Sequence, residues 1–93
     1  MDVIYSKNPD IIFRRIAEEF ILVPVRQKAV DLRSVYTLNE TAAFIWGLID
    51  GKKSLSLIEA AVSEAFDVES PRVEADVAHI VSQWESLDLV KKV

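Results

Sequence analysis

The chain has 93 residues, a formal net charge of −4, 51% hydrophobic residues and no cysteine. That length fits one domain, and the missing cysteines exclude disulfides, thiolate catalysis and cysteine metal sites. No apolar run approaches the roughly 18 residues of a membrane span and the N-terminus lacks a signal-peptide pattern, so a cytoplasmic location is expected.

Residues 1–10 read as an N-terminal arm, with Asn8-Pro9-Asp10 as a turn. The next stretch, rich in Ile, Val, Phe and Tyr, predicts three antiparallel strands at about residues 12–17, 20–25 and 30–37. In the third, Val30, Leu32, Ser34, Tyr36 and Leu38 fall on one face, and Asp31, Arg33, Val35 and Thr37 on the other. Pro24 cannot donate a ladder hydrogen bond, which places it at a strand end or on an unpaired side.

From Asn39 the period becomes helical. Asn39 is a cap, Glu40 suits the positive end of the helix dipole, and Gly51 reads as the stop, giving a first helix over about 40–50. Its side chains are apolar almost all the way round, so it should lie buried between the sheet and the other helices. A second helix is expected over about 55–66, capped by Ser54 or Ser56. A third starts with Ser70 as cap and Pro71 at the first helical position, and carries the stripe Val73, Val77, Ile80, Val81, Trp84 and Leu87. The chain closes on "LDLVKKV", a short extended tail. The expected fold is therefore α+β, a three-stranded antiparallel sheet followed by a three-helix bundle. It divides into an arm over 1–8 and a single domain over 9–93. Leu38, Phe44, Trp46 and Ile49 are assigned to its core.

The chemistry inventory is thin. His79 is the only histidine, so neither a zinc site of usual composition nor a Ser-His nucleophile with a spare histidine can be assembled. With Gly47 and Gly51 the only glycines, there is no Gly-rich phosphate loop. The fifteen carboxylates are scattered over helix starts and polar faces. The sequence predicts no catalytic residue, no metal ligand and no cofactor site.

Three binding roles remain. Three helices and a small sheet can form a winged helix-turn-helix, which makes a nucleic-acid-binding regulator one alternative. Yet the helical half is the acidic half: residues 34–93 carry five basic and ten acidic side chains. The third helix holds Glu74, Asp76, Glu85 and Asp88 against Arg72 alone, which phosphates would repel. A structural dimerisation module is another alternative. Peptide binding fits the residues best, because an edge strand is a template for a further strand. With the third strand at the edge, Val35, Tyr36, Val77, Ile80 and Trp84 would line a groove, and Arg33 and Arg72 would offer charge to acidic peptide residues.

Leu38-Asn39, Trp46, Asp50-Gly51, Ser54, Asp76 and Leu89-Val90 recur in an order and spacing that resembles the PqqD-like family over about residues 9–92. This is the pyrroloquinoline-quinone biosynthesis protein D group, the precursor-peptide recognition elements of ribosomally made, modified peptides. The resemblance implies a winged-helix-like fold and a non-catalytic peptide chaperone. The precursor's leader peptide would add as a strand beside strand three and be presented to a modifying enzyme, often of the radical S-adenosylmethionine type. Any iron–sulfur cluster would belong to that enzyme, and PQQ biosynthesis is one pathway among several that such proteins serve. The expected peptide contacts are Leu32, Arg33, Ser34, Val35, Tyr36 and Thr37 on the strand. On the third helix they are Arg72, Val73, Asp76, Val77, Ile80 and Trp84.

Overall fold

The computed structural model describes residues 3–24 and 36–93. In chain order the elements are β1 (Tyr5–Lys7), β2 (Ile11–Ile16), β3 (Glu19–Pro24), β4 (Tyr36–Leu38), α1 (Glu40–Leu48), α2 (Leu55–Phe66), α3 (Ser70–Ser86) and β5 (Val90–Lys92). They form a three-stranded antiparallel sheet, ordered β2-β3-β4, and a two-stranded one made by β1 and β5. With three helices following the larger sheet and α1 packed on β4, the fold is the winged-helix-like α+β arrangement expected.

β2 and β3 make a bulge-free hairpin from Ile11↔Pro24 to Ile16↔Glu19, closed by the two residues Ala17 and Glu18. Ala17 sits at φ 56°, the positive value that the tightest hairpin turns demand. Pro24 ends β3, where its missing N–H interrupts no ladder. β4 pairs with β3 through Phe20↔Leu38, Ile21↔Thr37 and Leu22↔Tyr36. This register puts Tyr36, Leu38, Phe20 and Leu22 on one face of the sheet, the face that meets the helices; Leu22 and Leu38 are buried there. Of the strand expected over 30–37, residues 30–35 lie outside the described residues.

The helix starts follow cap chemistry, with one correction. The Asn39 side chain accepts from Ala42 N at 2.8 Å, and Ser54, rather than Ser56, caps α2 by accepting from Leu57 N at 3.3 Å. In α3 Ser70 is already helical, Glu69 holds the cap position with no side-chain bond, and Pro71 follows Ser70 inside the first turn. The shift costs little, because no N–H of a first turn has an intrahelical partner for proline to remove. α1 ends at Leu48, two residues short of the expected limit, its last turn tightened by Ile49 N donating to Trp46 O at 3.2 Å. Gly51 lies beyond that cap at φ 79°, and its N–H donates to Tyr5 O at 3.0 Å.

That bond reveals a feature the sequence reading did not contain. The N-terminal arm holds a strand, β1, whose partner is the C-terminal tail: Tyr5↔Lys92, Ser6↔Lys91 and Lys7↔Val90. Asn8 fastens the same corner, accepting from Asp10 N and donating through Nδ2 to Asp88 O, both at 2.9 Å. Tyr5 is buried in the core with Leu89 and Val90. Burial raises the pKa of its hydroxyl, and nearby Glu85 adds to the shift. Two three-residue strands form no stable sheet alone. Packing of Tyr5, Leu89 and Val90 supplies what the pairing lacks.

The core is apolar throughout among the described residues. Leu22, Ile45, Ile49, Ile58, Val77, Val81 and Val90 are its largest fully buried side chains, and no buried polar or charged residue joins them. At its centre the rings of Trp46 and Trp84 meet edge to face, centroids 5.2 Å apart and planes at 90°. Such a contact adds about 0.5–1.5 kcal/mol to the burial of the two rings. α1 is central, as its all-round apolarity requires: Ala42, Ile45, Trp46 and Ile49 are buried, and Phe44 packs edge to face on Phe66 of α2 at 5.3 Å.

Candidate peptide-binding cleft

β4 is an outer strand of the β2-β3-β4 sheet, and α3 faces it. Between them opens a cleft of about 370 Å³, lined by Tyr36, Thr37, Leu38 and Asn39, by Ala42 of α1, and by Ile80, Gln83, Trp84 and Leu87 along α3. Ile80, Gln83 and Leu87 follow one another at intervals of three and four, a single stripe of the helix. Its floor is Trp84, held by its contact with Trp46; its lip is Leu87, 41% exposed at the helix end. Next to it lies a shallower hollow lined by Asn39, Thr41, Asp76, His79 and Ile80. The two share Asn39 and Ile80, so one continuous furrow runs beside β4 along the outer stripe of α3.

The chemistry of the furrow is simple. An apolar floor can bury one or two side chains of an extended peptide. Backbone pairing with the β4 edge would fix the peptide's direction, and Gln83, Thr37, Asn39 and His79 offer hydrogen bonds at the rim. Of the titratable groups whose shifts are resolved, none lines the furrow. Lys7, over the Trp46 ring at 5.5 Å, has its pKa lowered by burial and partly restored by Asp50. Asp50 is held well below the usual carboxylate range, first by the Lys53 ammonium at 2.7 Å and then by the backbone N–H groups of Lys53 and Lys52. These groups brace the corner where Asp50 and Gly51 link α1, α2 and β1. Asp50-Gly51 is thus a folding signal, with no place in the furrow.

The expected contact residues divide into three groups. Tyr36, Thr37, Ile80 and Trp84 come together in the cleft, and Asp76 lines the adjoining hollow. Leu32, Arg33, Ser34 and Val35 lie outside the described residues. Arg72, Val73 and Val77 are placed elsewhere: Val77 is fully buried and Val73 nearly so, and all three border a separate recess between α1, α2 and α3. The reason is angular. Residues 73 and 77 lead the buried stripe of α3 toward Val81 and Trp84, whereas 76, 80, 83 and 87 are centred about a quarter of a turn away. Arg72 also has a partner on its own helix, with its Nε 3.9 Å from Asp76 Oδ2. Sequence reasoning missed Leu38, Asn39, Ala42, Gln83 and Leu87. Leu87 had a signal, an apolar residue at the exposed end of the α3 stripe; Asn39 and Leu38 were read only as cap and core.

Among the described residues no group of three or more His, Cys, Asp or Glu could hold a metal ion, and no helix is long and apolar enough to cross a membrane.

Comparison with solved structures finds the same fold. A lasso peptide synthetase B1 complexed with the leader peptide aligns with a TM-score of 0.76 at 20% identity, covering 94% of this chain and 96% of the other. TbiB1, in complex with the TbiA(beta) leader peptide, gives 0.75 at 19%, covering 92% and 94%. The PqqD truncation of Methylobacterium extorquens PqqCD, a stand-alone recognition element for ribosomally synthesised, post-translationally modified peptides, gives 0.72 at 15%, covering 96% and 88%. Compared with the curated proteins, the sequence matches none. The pattern of the PqqD family, coenzyme PQQ synthesis protein D, matches residues 19–90, most of the chain, and the chain belongs to that family.

Proposed function

We propose that this protein is a non-catalytic peptide chaperone. It binds the leader segment of a ribosomally made precursor peptide by strand addition to β4 and presents it to a modifying enzyme, a partner that is often of the radical S-adenosylmethionine type. The observation that carries the reading is the furrow itself: an outer strand faced by an apolar helix stripe, with no polar group buried in its floor. Support comes from the two similar folds solved with leader peptides bound. A groove of this kind selects extended peptides, since backbone hydrogen bonds supply affinity and the apolar floor sorts alternate side chains. The nucleic-acid reading is disfavoured by the acidic residues of α3, one of which already engages its lone arginine.

The test is capture from a lysate of the native host on the immobilised protein, with the retained peptides and proteins identified by mass spectrometry. The parent chain should retain one short peptide together with its modifying enzyme. Leu87→Glu and Thr37→Pro should release the peptide, while circular dichroism of Leu87→Glu stays that of the parent. Retention of the peptide by both variants would remove β4 and α3 as the site.

A further inference from the structure

The opposite edge of the same sheet raises a separate question. Among the described residues β2 pairs with β3 alone, so its outer side carries a six-residue row of backbone donors and acceptors. Natural proteins blunt such edges with bulges, prolines, inward charges or a covering element. β2 has no bulge and no proline, its one charge on the helix-facing side is Arg15, drawn over Phe20, and its residues are exposed except for half-buried Ile11. Ile12, Phe13 and Ile16 are three of the six large hydrophobic side chains exposed among the described residues, Ile16 at 59%. The register places Ile12, Arg14 and Ile16 on the face away from the helices, beside Val23, Ile21 and Glu19, with Thr37 beyond Ile21. An antiparallel sheet with one wet face normally shows that face polar. Here the wet face is mostly aliphatic.

Charge narrows the occupant. β2 itself reads Ile-Ile-Phe-Arg-Arg-Ile, two arginines and no acid, in a chain of net charge −4; the nearest acids, Glu18 and Glu19, stand at the hairpin's turn end and on β3, not on the outer strand. Pairing of β2 with β2 of a second copy would bring both copies' arginines into one short ladder, and like charges across a strand pair destabilise it. An acidic strand would be drawn to the same edge. The second face of β2 is prepared for contact as well: Phe13 stacks on Phe20 at 5.8 Å, and the Arg15 guanidinium lies over Phe20 at 5.5 Å.

We propose that β2 is a second strand-addition edge, whose occupant is an acidic, apolar edge strand of a partner protein. On the reading above that partner is the modifying enzyme, but the surface is inferred independently of the leader site. The two edges lie on opposite sides of β3, so a strand on β2 and a leader on β4 would extend one sheet in both directions.

The experiment is an amide NMR titration of the full chain with a synthetic Glu-Val-Glu-Ile-Glu-Val peptide and its lysine counterpart, Lys-Val-Lys-Ile-Lys-Val. The acidic peptide should shift the amides of residues 11–16 and bind at least about ten-fold more tightly than the lysine one. Arg14→Glu with Arg15→Glu should reverse that preference, and the difference should shrink in high salt. Leu87→Glu should leave the β2 shifts unchanged. No β2 shift at millimolar peptide, equal response to both peptides, or shifts confined to β4 and α3 would overturn the proposal. So would a β2-mediated dimer of the chain alone, seen as a concentration-dependent mass by sedimentation. Because Leu87→Glu reports only on the leader furrow, failure of one site is distinguishable from failure of the other.

Discussion

The two edges of the β2-β3-β4 sheet are built on different plans. β4 is short, its inward residue Leu38 is buried, and α3 stands over its outer side with Trp84, Ile80 and Leu87. β2 is six residues long and has exposed apolar side chains on both faces. The β4 edge therefore presents a groove with two walls, which can select a flexible peptide by its side chains. Among the described residues the β2 edge has no second wall and carries two arginines, which suits a strand already held straight by another protein. In a small domain a sheet edge without a second wall can sort partners by charge, whereas sorting by side-chain shape needs a second element to supply the other wall.

The largest effect should come from removing that second wall. Trp84→Ala deletes the floor of the furrow and half of the Trp46 contact, and truncations of this kind cost about 3–5 kcal/mol. Against a total stability of about 5–15 kcal/mol, denaturant unfolding should show a large shift of midpoint. Leader binding should fall with it. Trp46→Ala should cost as much and loosen the same floor from beneath, since Trp46 lines no part of the cleft but supports Trp84.

Next come substitutions that spare the fold and split the edges. Leu87→Glu should weaken peptide binding at β4 by at least about ten-fold, equivalent to about 1.4 kcal/mol, with an unfolding midpoint near the parent's. Ile16→Glu, on the wet face of β2, should leave leader affinity unaltered, since Ile16 lies on the far strand of the sheet. Titration calorimetry of both variants with the leader peptide checks this. Equal losses from the two would erase the distinction between the edges.

Much of this was legible in the residues, and the parts that were not share a cause. The alternation of strands and the 3.6-residue periods of α1, α2 and α3 are local signals; the first two strands and the helices appear where they put them to within two residues, and of the third expected strand residues 36 and 37 are described, in β4. The pairing of β1 with β5 is not local. Tyr5–Lys7 and Val90–Lys92 are three residues each, too short to show a period, and only closure of the whole chain brings them together. The site was legible to the level of strand and helix. Which face of α3 borders the furrow turns on about 100° per residue, and that separates buried Val77 from Ile80. Periodicity finds an apolar stripe; it does not say which margin of the stripe is left uncovered.

A smaller effect should follow from the α2 cap. Ser54→Ala removes the acceptor for Leu57 N, a change that typically costs about 1 kcal/mol. It lies on neither edge, so thermal unfolding should fall by a few degrees with both binding activities kept.

The smallest effect should be the acid dependence carried by Asp50, whose carboxylate is held by Lys53 and two backbone N–H groups. Its pKa in the folded state lies below that in the unfolded chain, about 3.9 for an aspartate. A group depressed by folding contributes stability that is fully present above the unfolded value. The contribution fades as pH falls from there toward the folded value, because the unfolded chain takes up the proton first. Asp50→Asn keeps a side-chain oxygen for the turn but cannot ionise. The parent should thus exceed the variant in unfolding midpoint at pH 6, and the gap should narrow below about pH 4. Added salt should narrow it at every pH, since the pair with Lys53 stands in solvent. A gap that stays constant from pH 6 to pH 2 would mean that the turn geometry alone, and not the charge on Asp50, fastens α1 to α2. In that case the corner supporting β1 would be as indifferent to pH as the apolar floor of the furrow.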